Sequence, residues 1–237
     1  MKRLISSFMA VLLVFSMFAF ADTAAFGAYF TAPEGRTITS VKEYNLAPGI
    51  VEKRIVTDNY EGTHQVKAYV AIADFNDPNV GFLAGYKDYD STGTWGMQTV
   101  RDQMRAATEA KGVKVVAGIN ADYFDMATGQ PYGALIMDGK VVNSPSGQPH
   151  YFAVLKDGTP VIRDSSEGYD DVEYAIGAPL RIVVGGAVVE NPDTSLLPRC
   201  AIGITADNEV IIMMADGNQA PKSIGLTVQE QAQVIGV

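Results

Sequence analysis

The chain is expected to fold as an α+β domain, a strand-rich mixed β-sheet with few helices. Three features point there. Short runs of β-branched and aromatic residues recur along the sequence, each closed by Gly, Pro, Asn or Asp. Asp138-Gly139, Asp157-Gly158 and Gly185-Gly186 stand between such runs as hairpin-turn pairs. Helical spacing of apolar residues is confined to Thr99–Lys111 and a last segment from Val228 onward.

Taken in order, the chain opens with Lys2 and Arg3, an apolar run from Leu4 to Phe20, and Ala19-Phe20-Ala21, the A-x-A form that signal peptidase cuts. Residues 1–21 are therefore expected to be a secretory signal peptide, and the protein to be secreted or held at the cell surface. An uncleaved anchor is the alternative, but the run falls just short of the ~18 apolar residues of a spanning helix. No later segment is apolar for long enough, so no stable membrane span is expected once the signal is removed.

Residues 22–60 read as an N-terminal lead-in, rich in Thr, Gly and Pro from Tyr29 to Gly49 and holding about one strand. Strands are expected at Gly49–Val56, His64–Asp74 and Val80–Tyr86, with residues 61–237 forming the main domain. Within it Val66, Ala68, Val70 and Ile72 alternate with Lys67, Tyr69 and Ala71, the pattern of a half-buried strand. Val100, Met104 and Ala107 set the first helix, and Gly112 supplies its C-terminal cap. Val113–Ile119 is expected to be a buried strand feeding a polar loop, Asn120–Tyr132. Short strands follow at Ala134–Met137, Lys140–Val142, Phe152–Leu155, Thr159–Ile162, Tyr174–Ile176, Leu180–Val184, Ala187–Val189, Ala201–Thr205 and Val210–Met214. Thr227-Val-Gln-Glu230 is a capping box that starts the last helix. That helix stops at Val237 inside its own hydrophobic pattern, and the expectation is of a domain incomplete at its C-terminus.

Composition narrows the functions. The chain carries 18 Lys and Arg against 27 Asp and Glu, a net charge of −9. Loss of Lys2 and Arg3 with the signal would make it −11. No basic cluster exists in the mature region, so nucleic acid is not an expected partner. Cys200 is the single cysteine, which excludes an intrachain disulfide, and its apolar surroundings suggest a buried small hydrophobe. There is no phosphate-binding glycine loop, G-x-S-x-G, C-x-x-C or H-E-x-x-H, and His64 and His150 lie far apart. The chemical tools left are carboxylates, arginine and amides.

Three polar groups stand out. Asn120-Ala-Asp122-Tyr123-Phe-Asp125 follows an apolar strand, where a sheet can hold side chains rigidly while a loop exposes them; the plainer alternative is an ordinary turn. Arg199 begins an apolar strand, and its planar fork suits a phosphate or carboxylate, unless it is simply an edge residue. Asp216-Gly217 ends another strand, with Glu230 soon after; these too could be a turn and a helix cap. No cofactor is expected. A structural divalent cation such as calcium remains open through Asp88 and Asp90 or Glu167, Asp170 and Asp171, although no complete EF-hand spacing occurs.

Read together, Asn120-Ala-Asp-Tyr-Phe, Gly129-Gln-Pro-Tyr-Gly133, Asp138-Gly139, Pro198-Arg-Cys-Ala-Ile-Gly203, Asp216-Gly217 and Gly225-Leu-Thr-Val-Gln-Glu230-Gln-Ala232 resemble the phosphodiester glycosidase family, over roughly Val66 to the end. The resemblance implies a secreted hydrolase that cuts the bond between a sugar's anomeric carbon and a phosphodiester, acting on cell-surface or exopolysaccharide glycans. A phosphate leaving group needs little protonation, so a carboxylate and a cation suffice. On this reading Asp122, Asp216 and Glu230 form the catalytic set, with Asp122 or Asp216 as the working carboxylate. Arg199 holds the phosphate, Asn120 and Tyr123 bond sugar hydroxyls, and Gly217 lies against the substrate. The family's pattern continues into a glycine-rich Asn-Leu-Asp-Gly-Gly-Gly-Ser strand that this sequence does not reach. A non-catalytic cell-surface module that binds glycans is the competing expectation.

Overall fold

The computed structural model describes residues 32–33, 35–58, 64–144 and 147–235. The expected signal peptide at 1–21 lies outside them. Twelve strands and two helices are described: β1 Thr37–Ala47, β2 Ile50–Asp58, β3 Gln65–Asp74, α1 Val100–Lys111, β4 Leu135–Met137, β5 Lys140–Asn143, β6 His150–Leu155, β7 Pro160–Asp164, β8 Val172–Ala178, β9 Val183–Val184, β10 Ala187–Val188, β11 Arg199–Ile204, β12 Glu209–Ala215 and α2 Val228–Ile235. This is the α+β, strand-rich class expected. Every ladder among the described residues is antiparallel, where a mixed sheet was anticipated.

Two five-stranded sheets carry the fold. Sheet one runs β1-β2-β3-β12-β11 and sheet two runs β5-β4-β8-β6-β7, so the second is built wholly from chain that intervenes between β3 and β11. The strands of the lead-in thus form part of sheet one with β3. Alternation decides what each face of sheet one does. Ile55, Val66, Ala68, Val70, Ile211, Met213 and Ala215 point to one side, where Leu226 and Val234 close a core over them. The residues between them point to the other side. There Val210, Ile202, Ile204 and Ile212 pack under Phe152 and Val154 of sheet two.

Local signals explain most elements. The Thr99 hydroxyl accepts from the Asp102 N–H at the start of α1, and Gly112 ends it with φ 65°, a left-handed value that glycine adopts without steric cost. Asp138 and Gly139 both have positive φ, the turn that joins strands of natural twist, and β4 and β5 pair across it. The capping box at α2 is present in both directions: Glu230 N–H to Thr227 Oγ1 at 3.0 Å and Thr227 N–H to Glu230 Oε2 at 2.8 Å.

Three expectations are corrected. Val80–Tyr86 is not a strand; it lays Phe82, Ala84 and Tyr86 against Leu135, Met137 and Tyr174 of sheet two, so its apolar residues are spent on packing across a face rather than on pairing. Val113–Ile119 is neither paired nor fully buried: Val113 is 46% exposed, and no ladder partner lies beside the segment among the described residues. Leu180–Val184 is a strand only at Val183–Val184, in a small hairpin with β10.

Candidate functional site

Asp122 is the most constrained of the expected site residues. Its backbone has φ 57°, a left-handed conformation that aspartate tolerates better than most side chains. Oδ1 accepts the Tyr123 N–H at 2.7 Å and Oδ2 accepts the Gly133 N–H at 2.5 Å. A Cβ on either Gly133 or Gly177 would run into the other glycine's backbone and into Oδ2, so the close approach of the two chains and of this carboxylate requires glycine at both positions. Burial lifts the Asp122 carboxyl above the ordinary aspartate range, against the pull of its two N–H donors.

The loop that carries Asp122 is tied at its base. Tyr132 N–H donates to Tyr123 O at 2.9 Å, and Asp125 Oδ1 accepts the Ala127 N–H at 2.6 Å. Asn143, a buried residue not anticipated from sequence, donates its amide to Pro131 O at 2.9 Å and Gly133 O at 2.7 Å, and accepts from Gln130 at 3.1 Å. The loop therefore presents Tyr123, Met126 and Tyr132 to solvent from a fixed base.

Asn120 connects this loop to sheet one. Its Oδ1 accepts from the Cys200 thiol, with the atoms 3.6 Å apart. Cys200 is exposed rather than buried as expected, because it lies near the start of the outer strand β11, and the cluster under sheet two on its face includes Ile202 and Ile204 but not Cys200. Cys200 pairs with Met214, and Met214 with Tyr69, so these three lie in a row across β11, β12 and β3. Asp216 follows Met214 by two residues, just past the end of β12, where its charge acts on the Tyr69 phenol. Burial first, then the charge of Asp216, raises the Tyr69 phenol. The face that sheet two covers at Ile202 and Ile212 thus emerges from beneath it at Cys200 and Met214.

The remaining expected residues lie behind that face. Arg199 is paired with Ala215, whose side chain belongs to the core. Its guanidinium donates to Leu226 O at 3.1 Å, Ser195 O at 2.9 Å and Asp193 Oδ2 at 3.0 Å. Hydrogen bonds from Ser195, then the Arg199 guanidinium, hold Asp193 down to about 2. Glu230 is engaged by its capping box and by Arg36, whose Nε and Nη2 each stand 2.9 Å from Oε1. Gly217 is forced by close approach of backbone, since a Cβ there would strike Leu197 and Pro198. Asn120, Asp122 and the exposed Tyr123 therefore belong to one loop that touches sheet two at Gly133 and Gly177 and sheet one at Cys200, and Asp216 lies two residues beyond Met214, the register partner of Cys200, whereas Arg199, Gly217 and Glu230 are engaged by other parts of the fold.

Tyr69 was missed as a site residue, although the alternation of β3 already turned it away from Val66, Ala68 and Val70. Four of the five carboxylates considered for a cation, all but Asp170, are engaged by protein groups. Asp90 accepts from Thr92, Asp88 from Gln98, Glu167 from the Asp164 N–H, and Asp171 holds Arg163 with two bonds of 2.7 and 2.8 Å. Among the described residues no three His, Cys, Asp or Glu converge as metal ligands would. No helix among them is long and apolar enough to cross a membrane.

Comparison with known proteins adds the following. The family model for phosphodiester glycosidase matches residues 113–237. The catalytic domain of zebrafish N-acetylglucosamine-1-phosphodiester alpha-N-acetylglucosaminidase, auto-inhibited by its pro-peptide, shares the fold at a TM-score of 0.61 and 16% identity, over 84% of this chain and 73% of that one. A hypothetical protein from Synechocystis aligns at a TM-score of 0.58 and 12% identity, over 82% of this chain and 55% of that one. No curated protein matches the chain.

Proposed function

Because the chain belongs to the phosphodiester glycosidase family, we propose that it is an exported hydrolase that releases a sugar from a sugar-1-phosphodiester on a cell-surface or exopolysaccharide glycan. Membership supports a glycosidase-type activity; the substrate and the export are part of the proposal. The observation that carries the residue assignment is the Asp122 carboxyl, desolvated, fixed by two N–H donors, and placed in the loop whose Asn120 reaches sheet one.

In this reading Asp122 holds a proton to higher pH than an ordinary aspartate and passes it to the departing phosphate oxygen as the anomeric C–O bond breaks. Asp216 stabilises positive charge at the sugar or takes a proton from the attacking water. Asn120 and the exposed Tyr123 bond sugar hydroxyls. Arg199 acts through the loop at Asp193–Ser195 rather than by direct contact with phosphate, since its Nε and Nη2 are taken by three acceptors and its side chain is largely buried on the core side of β11. No cofactor enters this scheme.

The test is release of free N-acetylglucosamine from UDP-N-acetylglucosamine or a simpler anomeric phosphodiester, using wild type, Asp122→Asn and Asp216→Asn. Turnover by wild type and its loss in both variants, with sugar still bound, supports the assignment. Folded wild type that binds the sugar phosphodiester without turning it over would instead favour a glycan-binding module.

A further inference from the structure

The open face of sheet one does not end at Asp216. Tyr69 lies beside Arg54 of β2, its register partner, with the guanidinium carbon 6.0 Å from the Tyr69 ring centre. The same guanidinium lies 4.4 Å over the ring of Tyr44 on β1. Glu52 fixes it from the side with two bonds, Nε to Oε1 at 2.8 Å and Nη2 to Oε2 at 3.1 Å. Asp216, Tyr69, Arg54 and Tyr44 therefore make a continuous ledge across β12, β3, β2 and β1, roughly 14 Å wide at the usual spacing of strands. None of these residues belongs to the core on the opposite face or to the cluster that sheet two covers on this one.

The geometry points to this ledge as a binding subsite for an uncharged saccharide chain continuing from the sugar held near Asp216. Three properties of the surface select that ligand. Aromatic faces suit the C–H faces of sugar rings, and a fixed guanidinium and carboxylate supply donors and acceptors for hydroxyl groups. The charges balance: Lys42, Arg54 and Lys67 share the face with Glu52, Asp58 and Asp216, so neither a polyanion nor a polycation is favoured. Arg54, 49% exposed, is already held by Glu52 and stacked on Tyr44, which is 39% exposed, so little side-chain freedom remains to be lost on binding.

This inference rests on the glycosidase reading for the placement of the reacting sugar, but its test does not depend on turnover. Binding of a neutral N-acetylglucosamine tetramer to the full chain is measured by calorimetry for wild type, Tyr44→Ala and Arg54→Gln, with thermal unfolding of each recorded in parallel. We expect wild type to bind and each variant to lose about tenfold in affinity, the scale of one aromatic or charge-assisted contact, while unfolding at the wild-type temperature. Tyr44→Leu, which keeps bulk on the edge strand, serves if the alanine variant fails to fold. No binding by wild type, or binding that none of the variants weakens, overturns the subsite. So does tighter binding of a polyanionic oligosaccharide than of the neutral one. Turnover of the small phosphodiester, assayed beside it, separates the two ideas: turnover without tetramer binding removes the ledge and leaves the enzyme reading, and ledge-dependent binding without turnover does the reverse.

Discussion

At the scale of single residues, Asp122 concentrates the chemistry because its surroundings oppose one another. Two N–H donors favour the carboxylate and burial favours the acid, with burial the larger. The native state therefore keeps the proton to higher pH than the unfolded chain does. From roughly pH 4, where an unfolded aspartate ionises, stability owed to this group falls as pH rises through the folded value. Asp122→Asn should abolish that dependence in urea midpoints measured from pH 4 to 7, and should lower sugar release by up to about 100-fold, the low end for a lost proton donor because phosphate departs with little protonation. If the acid form is the working one, the falling limb of the wild-type pH–rate profile belongs to Asp122. Gly177→Ala should displace the Gly133 backbone and the same carboxylate by bulk. Its added Cβ meets the Gly133 Cα and Oδ2, and we expect lower kcat together with a lowered melting temperature; wild-type values for both would show that the glycine does not shape the site.

At the scale of elements, the helix α2 separates a supporting role for Glu230 from a catalytic one. Its carboxylate closes the capping box and meets Arg36, whose side chain is only 2% exposed. Removing one partner of a buried ion pair costs about 3–5 kcal/mol, whereas loss of a cap hydroxyl costs about 1 kcal/mol. Glu230→Gln should thus destabilise the protein by about 3 kcal/mol in urea, more than Thr227→Ala does. Full stability with lost turnover would move Glu230 into the reaction instead. This helix was legible in sequence because capping is local, and so were α1 and the Asp138-Gly139 hairpin, whose signals lie within a few residues. Val80–Tyr86 and Val113–Ile119 were misread because an apolar run shows that a segment is buried or extended but not whether another strand lies beside it. The split of the site followed the same divide. Asn120 and Asp122 could be seen as neighbours, but the position of Arg199 depends on β11 pairing Arg199 with Ala215, which turns its side chain toward the core. The meeting of Tyr69 with Asp216 needs β3 and β12 to pair across more than half of the chain.

At the scale of the whole molecule, two sheets with separate cores are joined by the contact of Phe152 and Val154 with Val210. Sheet two holds Met137, Tyr151, Ala153 and Ala175 at no exposure, whereas β1 lies at an edge of sheet one with most of its residues exposed or half-buried. Hydrogen exchange should therefore be slowest in β6 and β8 and fastest in β1, spanning local opening to global unfolding. Equal protection throughout would mean that the two sheets open only as one. The strand order has a further consequence for the newborn chain. Sheet two arises from contiguous sequence and can close as soon as Ala178 is made. β1, β2 and β3 must wait for β12 and α2, and until then the apolar row of Ile55, Val66, Val70 and Ile72 has nothing to cover it. The apolar face of the first three strands thus stays open until synthesis is nearly complete, a stretch in which exposed strand edges favour aggregation.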